Sequence, residues 1–123
     1  MNRGETRLDS FLHLWNNYEH MSNYSYNNSP NQQDYSRLAA LFAALSDPNR
    51  LRIISTLLAG ECSVGEIASR VDLSESAVSH QLRGLRQMRL VRTRKQGRQV
   101  FYALDDDHVA RLYQLGLEHT LDG

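Results

Sequence analysis

From position 35 onward, apolar residues recur at helical spacing. Leu38, Leu41, Phe42 and Leu45 form one stripe over residues 35–45, the pattern of a helix that buries one face. Ser46-Asp47-Pro48 then offers a capping acid followed by proline at the first helical position. Leu51, Ile54, Leu57 and Leu58 predict a second helix from residue 48 to about 59, stopped by Gly60. Ser63-Val64-Gly65-Glu66 fits a capping box and opens a short helix to residue 71 with Val64, Ile67, Ala68 and Val71 inward. Asp72-Leu73-Ser74 breaks the pattern, and Ser74 can cap a further helix to about residue 89 built on Val78, Leu82 and Leu85. The result is two helices joined by a three-residue turn.

Beyond Leu90 the period drops from 3.6 to 2. Residues 91–94 and 99–104 read as strands around Lys95-Gln96-Gly97-Arg98, where Gly97 can take the positive φ of a hairpin turn. Asp105 to Asp107 can cap a last helix to about residue 121, with Val109, Leu112, Tyr113 and Gly116 on its stripe. The order helix, helix, helix-turn-helix, hairpin, helix predicts a mainly α fold with a β-hairpin wing: a winged helix-turn-helix with added helices at both ends. Residues 1–34 differ in kind. They hold seven Asn, clustered Ser and Tyr, and Pro30, so residues 21–34 read as a flexible linker. Ahead of it, Leu8, Phe11, Leu12, Trp15 and Tyr18 can line a short amphipathic helix. The expected division is an arm over 1–34 and a domain over 35–123.

A chain of 123 residues with 41% hydrophobic positions suits one small domain, and domains of this size often complete their core by pairing. A lone cysteine, Cys62, cannot form an internal disulfide, and no signal sequence or membrane-length apolar run is visible. A soluble, cytoplasmic protein is expected. The formal charge is zero, but it is polarised. Residues 74–104 carry Arg83, Arg86, Arg89, Arg92, Arg94, Lys95 and Arg98 against Glu75, whereas residues 105–123 carry Asp105, Asp106, Asp107, Glu118 and Asp122 against Arg111.

The basic stretch coincides with the second helix of the helix-turn-helix and with the hairpin. With Val78, Leu82 and Leu85 inward, Ser76, Ser79, His80, Gln81 and Arg83 remain for solvent or for DNA base edges and phosphates. Arg94, Lys95, Gln96 and Arg98 at the hairpin would lie along the backbone or enter a minor groove. The plainer alternative is a solvated basic face and an ordinary surface turn; helix-turn-helix spacing and basic wing together favour double-stranded DNA. RNA is disfavoured because no aromatic-rich strand face is visible for stacking.

The last helix holds His108 and His119, both flanked by acids. Eleven residues place them on one face but about 16 Å apart, too far to share an ion within one chain. If the last helices of two copies pack antiparallel about a twofold axis, Asp106 and His108 of one meet His119 and Asp122 of the other. Two nitrogens and two carboxylate oxygens suit tetrahedral zinc, with Co²⁺, Cd²⁺ and Ni²⁺ as alternatives. The competing explanation is that the acids cap the helix start and the histidine answers its dipole. A softer secondary site would combine Cys62 with His13 or His20. An enzymatic zinc centre is not expected, because the four donors leave no open position and no H-E-x-x-H pattern occurs.

Leu73-Ser74-Glu75-Ser76-Ala77-Val78-Ser79-His80-Gln81-Leu82-Arg83, with Arg89-Leu90-Val91, Arg94-Lys95-Gln96-Gly97-Arg98 and the upstream Ser46-Asp47-Pro48-Asn49-Arg50, closely resembles the ArsR/SmtB family of metal-responsive repressors. The resemblance covers about residues 36–122 and is nearest to the cyanobacterial zinc-responsive SmtB branch. That branch binds zinc across a dimer through a DxH pair at the start of the last helix and an HxxE or HxxH pair near its end. Here Asp106-Asp107-His108 and His119-Thr120-Leu121-Asp122 match, the fourth position as a shorter carboxylate. The resemblance implies a homodimer that binds an inverted-repeat operator without metal, leaves it when zinc binds, and so derepresses genes that export or sequester the ion. Thiolate-using members carry a Cys-x-Cys or similar pair where this chain has Cys62 alone; a thiol-responsive repressor using Cys62 is the alternative function.

Overall fold

The computed structural model describes residues 29–122. The expected amphipathic helix within residues 1–20, and His13 and His20 with it, lie outside the described residues. The chain divides into two compact units, Met1–Ser36 and Arg37–Gly123. Six of the described elements belong wholly to the second unit together with a two-residue strand, in the order α1 (Gln32–Ala44), α2 (Pro48–Leu57), β1 (Cys62–Ser63), α3 (Val64–Val71), α4 (Glu75–Gln87), β2 (Val91–Gln96), β3 (Gln99–Leu104) and α5 (Asp107–Asp122), with α1 alone beginning in the first unit.

The caps act where the sequence puts them. Asp47 accepts the N–H of Arg50 at 3.0 Å ahead of Pro48 and starts α2. Ser63 and Glu66 exchange bonds in a complete capping box at α3, and Ser74 accepts the N–H of Ala77 at 3.1 Å to start α4. Between α3 and α4 the chain reverses at Asp72, whose φ of 57° is left-handed; a short polar side chain tolerates that region better than most. At the hairpin Gly97 has φ 62° while Arg98 is not left-handed, the pattern of a type II′ turn.

Several boundaries differ from expectation; β2 runs to Gln96 rather than Arg94, because Lys95 and Gln96, expected in the turn, pair with Val100 and Gln99 and leave a two-residue turn. The first helix begins at Gln32 rather than Tyr35, because Asn31 and Asp34 cap it reciprocally: each side chain accepts the other's backbone N–H at 2.9 Å. Residues 32–34, expected as linker, are therefore helical. The second and fourth helices end at Leu57 and Gln87, about two residues short of expectation, in their terminal turns. The sheet also gains a third strand, in the order β1-β3-β2. Cys62 pairs with Tyr102 and Ser63 with Phe101, both antiparallel.

The core is built from the inward stripes. Ile53, Ile54, Ile67, Val78 and Leu82 have no exposed surface, and burying each such side chain is worth roughly 1.5–3 kcal/mol. Val91 and Cys62 cover the core from the sheet and Val109 from α5. This packing fixes α3 against α4 and sets both against the base of the hairpin. The last helix contributes only Val109 to the buried set; Leu112 and Tyr113 are half-buried, and Gly116 is exposed.

Candidate nucleic-acid interface and metal half-site

On α4, Val78, Leu82 and Leu85 are buried. At 100° per residue the opposite side of that helix is formed by Ser76, His80 and Arg83, and all three are exposed, with Ser79 half-buried beside them. This ridge offers hydroxyl, imidazole and guanidinium groups and no bulky aromatic. Gln81 departs from the expected set. It lies on the flank of the helix toward α2, half-buried, and its Oε1 accepts from Arg50 Nε at 2.8 Å. Arg50 also donates through Nη1 to the carbonyl of Ala44 at 3.1 Å, so its guanidinium joins the end of α1 to the middle of α4. A sequence shows that Gln81 is polar but not that a partner 31 residues away holds it.

In the wing, Lys95, Gln96 and Arg98 are exposed. Arg94, expected as a further free cation, is engaged instead. Its Nε and Nη2 donate to the two carboxylate oxygens of Glu61 at 3.1 and 2.5 Å, and its Nη1 donates to Gln96 Oε1 at 2.9 Å. The guanidinium also sits 4.9 Å from the centre of the Phe101 ring. The bond from Arg94 holds the Glu61 carboxyl below its usual range. Glu61 was not singled out by sequence, since nothing local marks it.

At the start of α5, Asp106 Oδ1 accepts the backbone N–H of His108 at 2.9 Å, and Oδ2 lies 3.2 Å from His108 Nδ1. The side-chain hydrogen bond with His108 pulls the Asp106 carboxyl below its usual range. Both side chains are open to solvent. The donor spacing also tests whether a metal fits. Two ligands at about 2.0–2.1 Å from a tetrahedral ion stand about 3.3 Å apart, and the Asp106 and His108 atoms are already near that separation. The pair thus has the spacing that two ligands of one ion would need. His119 and Asp122 are exposed near the other end of the same unbroken helix. Among the described residues no three potential ligands gather in one place.

Cys62 is buried in β1. Burial pushes its thiol up from the ordinary value, opposed by the nearby Arg70 guanidinium, whose Nη1 is 3.6 Å from Sγ. A buried, protonated thiol is a poor nucleophile and a poor ligand.

The sequence pattern described as "Bacterial regulatory protein, arsR family" matches residues 47–93, from the cap of α2 into β2. The cadmium resistance transcriptional regulatory protein CadC homolog of Staphylococcus aureus is 39% identical over 83 residues, which are 67% of this chain and 69% of that protein. The chain belongs to the ArsR family. The transcriptional repressor SmtB homolog of Synechocystis is 49% identical over 83 residues, 68% of this chain, and the match spans 63% of that relative's length. Among solved structures, the homodimeric winged helix-turn-helix DNA-binding domain Mb0332 of Mycobacterium bovis aligns with a TM-score of 0.65 and 27% identity over 76% of this chain and 89% of that one. The winged helix-turn-helix fold is thus that of the family, and these family members are described as regulators or DNA-binding domains rather than enzymes.

Proposed function

We propose that this chain is a metal-responsive transcriptional repressor. Residues 35–123 form its working domain, and residues 1–34 an arm. Without metal a cytoplasmic homodimer occupies an inverted-repeat operator, with the Ser76, Ser79, His80 and Arg83 ridge of α4 in the major groove and the wing on the flanking backbone. Zinc, or in its place Co²⁺, Cd²⁺ or Ni²⁺, is held by Asp106 and His108 of one copy with His119 and Asp122 of the other. Genes that export or sequester the ion are then derepressed.

The observation that carries the metal reading is the placement of two oxygen–nitrogen donor pairs at opposite ends of one exposed helix, the first pair already at ligand spacing. Two such helices packed antiparallel bring unlike ends together twice per dimer. Leu38 and Phe42 on α1 and Leu115, Leu117 and Leu121 on α5 are exposed in the single chain, which supports pairing through the terminal helices. When bound, the ion supplies a fixed link between those helix ends. A dimer held in that geometry presents its two α4 helices at a spacing poorly matched to successive major grooves about 34 Å apart, and metal and operator affinities are coupled reciprocally. That the CadC homolog is named for cadmium resistance fits this reading.

The test is operator binding titrated with zinc, in the wild type and in His108→Gln and His119→Gln. Zinc is expected to release DNA from the wild type and to lose that effect in both variants, with metal-free DNA binding kept. Zinc-driven release that survives in both variants would remove the α5 site.

A further inference from the structure

The four wing residues expected at DNA do not face the same way. Strand alternation and the pairing register put Arg92, Arg94 and Gln96 on the sheet face that carries Phe101 and Ala103. Val91, Thr93 and Lys95 share the other face with Tyr102, Leu104 and the buried Cys62, the face that packs on the core. Lys95 therefore extends the α4 side of the sheet, and Arg94 points away from it. Arg98 stands in the turn itself.

Arg94 is also spoken for. Glu61 grips its guanidinium with both carboxylate oxygens, Gln96 takes a third N–H, and Phe101 lies under it. A two-point arginine–carboxylate contact fixes direction as well as distance. Lys95 and Arg98 have no ion pair among the described residues. The mechanical setting gives the contact something to do. β1 pairs with β3 only at Cys62 and Ser63, so beyond Phe101 the wing is a bare two-stranded ribbon, which is marginal by itself. Glu61, in the loop between α2 and β1, holds Arg94 in the last rung that β1 braces, opposite Phe101, and Arg94 Nη1 carries the hold on to Gln96 in the bare ribbon.

We infer that Glu61 and Arg94 form a clamp that aims the wing, and that Lys95 and Arg98, rather than Arg94, are its phosphate contacts. The second half rests on the DNA-binding reading above. Glu61 and Arg94 are positioning residues in this assignment, and the rival assignment of Arg94 to phosphate predicts the opposite sign for one substitution. Removing the Glu61 charge would free a cation and strengthen binding if Arg94 met DNA, but it loosens the wing and weakens binding if Arg94 is a strut.

The experiment uses the full chain and a fluorescein-labelled duplex of roughly 30 base pairs, long enough for two half-sites, selected from a random pool by the wild type. Affinity is measured against KCl concentration. Glu61→Gln, Arg94→Gln and the double variant are each expected to weaken binding roughly two- to fivefold, the range open to an exposed pair. The losses should not add, because the two side chains act as one unit. The salt slope should stay unchanged for Arg94→Gln and fall by about 1.8, one phosphate contact in each copy of the dimer, for Lys95→Gln and for Arg98→Gln. Tighter binding by Glu61→Gln, a fall of about 1.8 in the salt slope for Arg94→Gln, or unchanged affinity in both would overturn the assignment. Amide hydrogen exchange on the DNA-free chain separates the clamp from the DNA reading. Glu61→Gln is expected to speed exchange over residues 95–99 severalfold while leaving α3 and α4 unchanged. Unaltered wing exchange sinks the clamp. A wild type that binds no duplex sinks the DNA reading and the phosphate half with it, while the exchange result still decides the clamp.

Discussion

Cys62 and Glu61 are neighbours in the chain with opposite fates. The thiol faces the core and is pushed up by burial, so alkylation by iodoacetamide at pH 8 should be far slower than for a free thiol and should accelerate to the free rate in denaturant. Cys62→Ser should keep zinc-driven operator release, whereas a thiol-responsive repressor would lose induction. The Glu61 carboxyl faces solvent and is held below its usual value of 4.5 by Arg94. Its folded form therefore binds a proton less readily than its unfolded form. The contribution to stability is full above the ordinary carboxylate range and is lost as pH falls through the lowered folded value. Acid unfolding followed by circular dichroism should show a shallower loss of stability below about pH 4.5 in Glu61→Gln than in the wild type, with the two curves parallel near neutrality.

At the scale of elements, most boundaries were legible because they are set by local chemistry. Asp47-Pro48, Ser63 with Glu66, Ser74 and Gly97 each act within a few residues of themselves, so a linear reading finds them. What escaped is what depends on a distant partner. A two-residue strand is too short to alternate, and Ser63 had already been used as a cap, so β1 left no trace. Gln81 looks outward until Arg50 is placed beside it, and Arg94 looks free until Glu61, 33 residues earlier, meets it. The start of α1 was set three residues late because Asn31 and Asp34 sit in Asn-rich surroundings that read as linker. The proposed metal donors read as two pairs in the sequence, and in the proposal only a dimer brings the pairs together. Caps that act locally should fail locally: Ser63→Ala and Ser74→Ala are each expected to cost about 1 kcal/mol in urea unfolding with little change in the slope.

For the whole molecule, the exposed leucines decide how much of the protein is present in one copy. Leu115 and Leu121 are 56% and 74% exposed on α5, an arrangement that favours association over isolation. Leu115→Glu with Leu121→Glu should shift sedimentation to a monomer while leaving far-UV circular dichroism unchanged, since neither side chain belongs to the buried core. The same variant should lose zinc-driven release, because the two halves of the proposed coordination set would then never meet. A dimer that persists with both substitutions would move the interface elsewhere.

Ser63 holds two posts at once: it closes β1 against Phe101 and its hydroxyl opens α3. Insertions and deletions should respect this. Adding one amino acid between Ser63 and Val64 forces a choice between the ladder and the cap, whereas lengthening the exposed turn at Gly97 and Arg98 disturbs neither. Among length variants of this chain, natural or engineered, the junction of strand and helix is the place where the count of residues is fixed, and the tip of the wing is where it is free to drift.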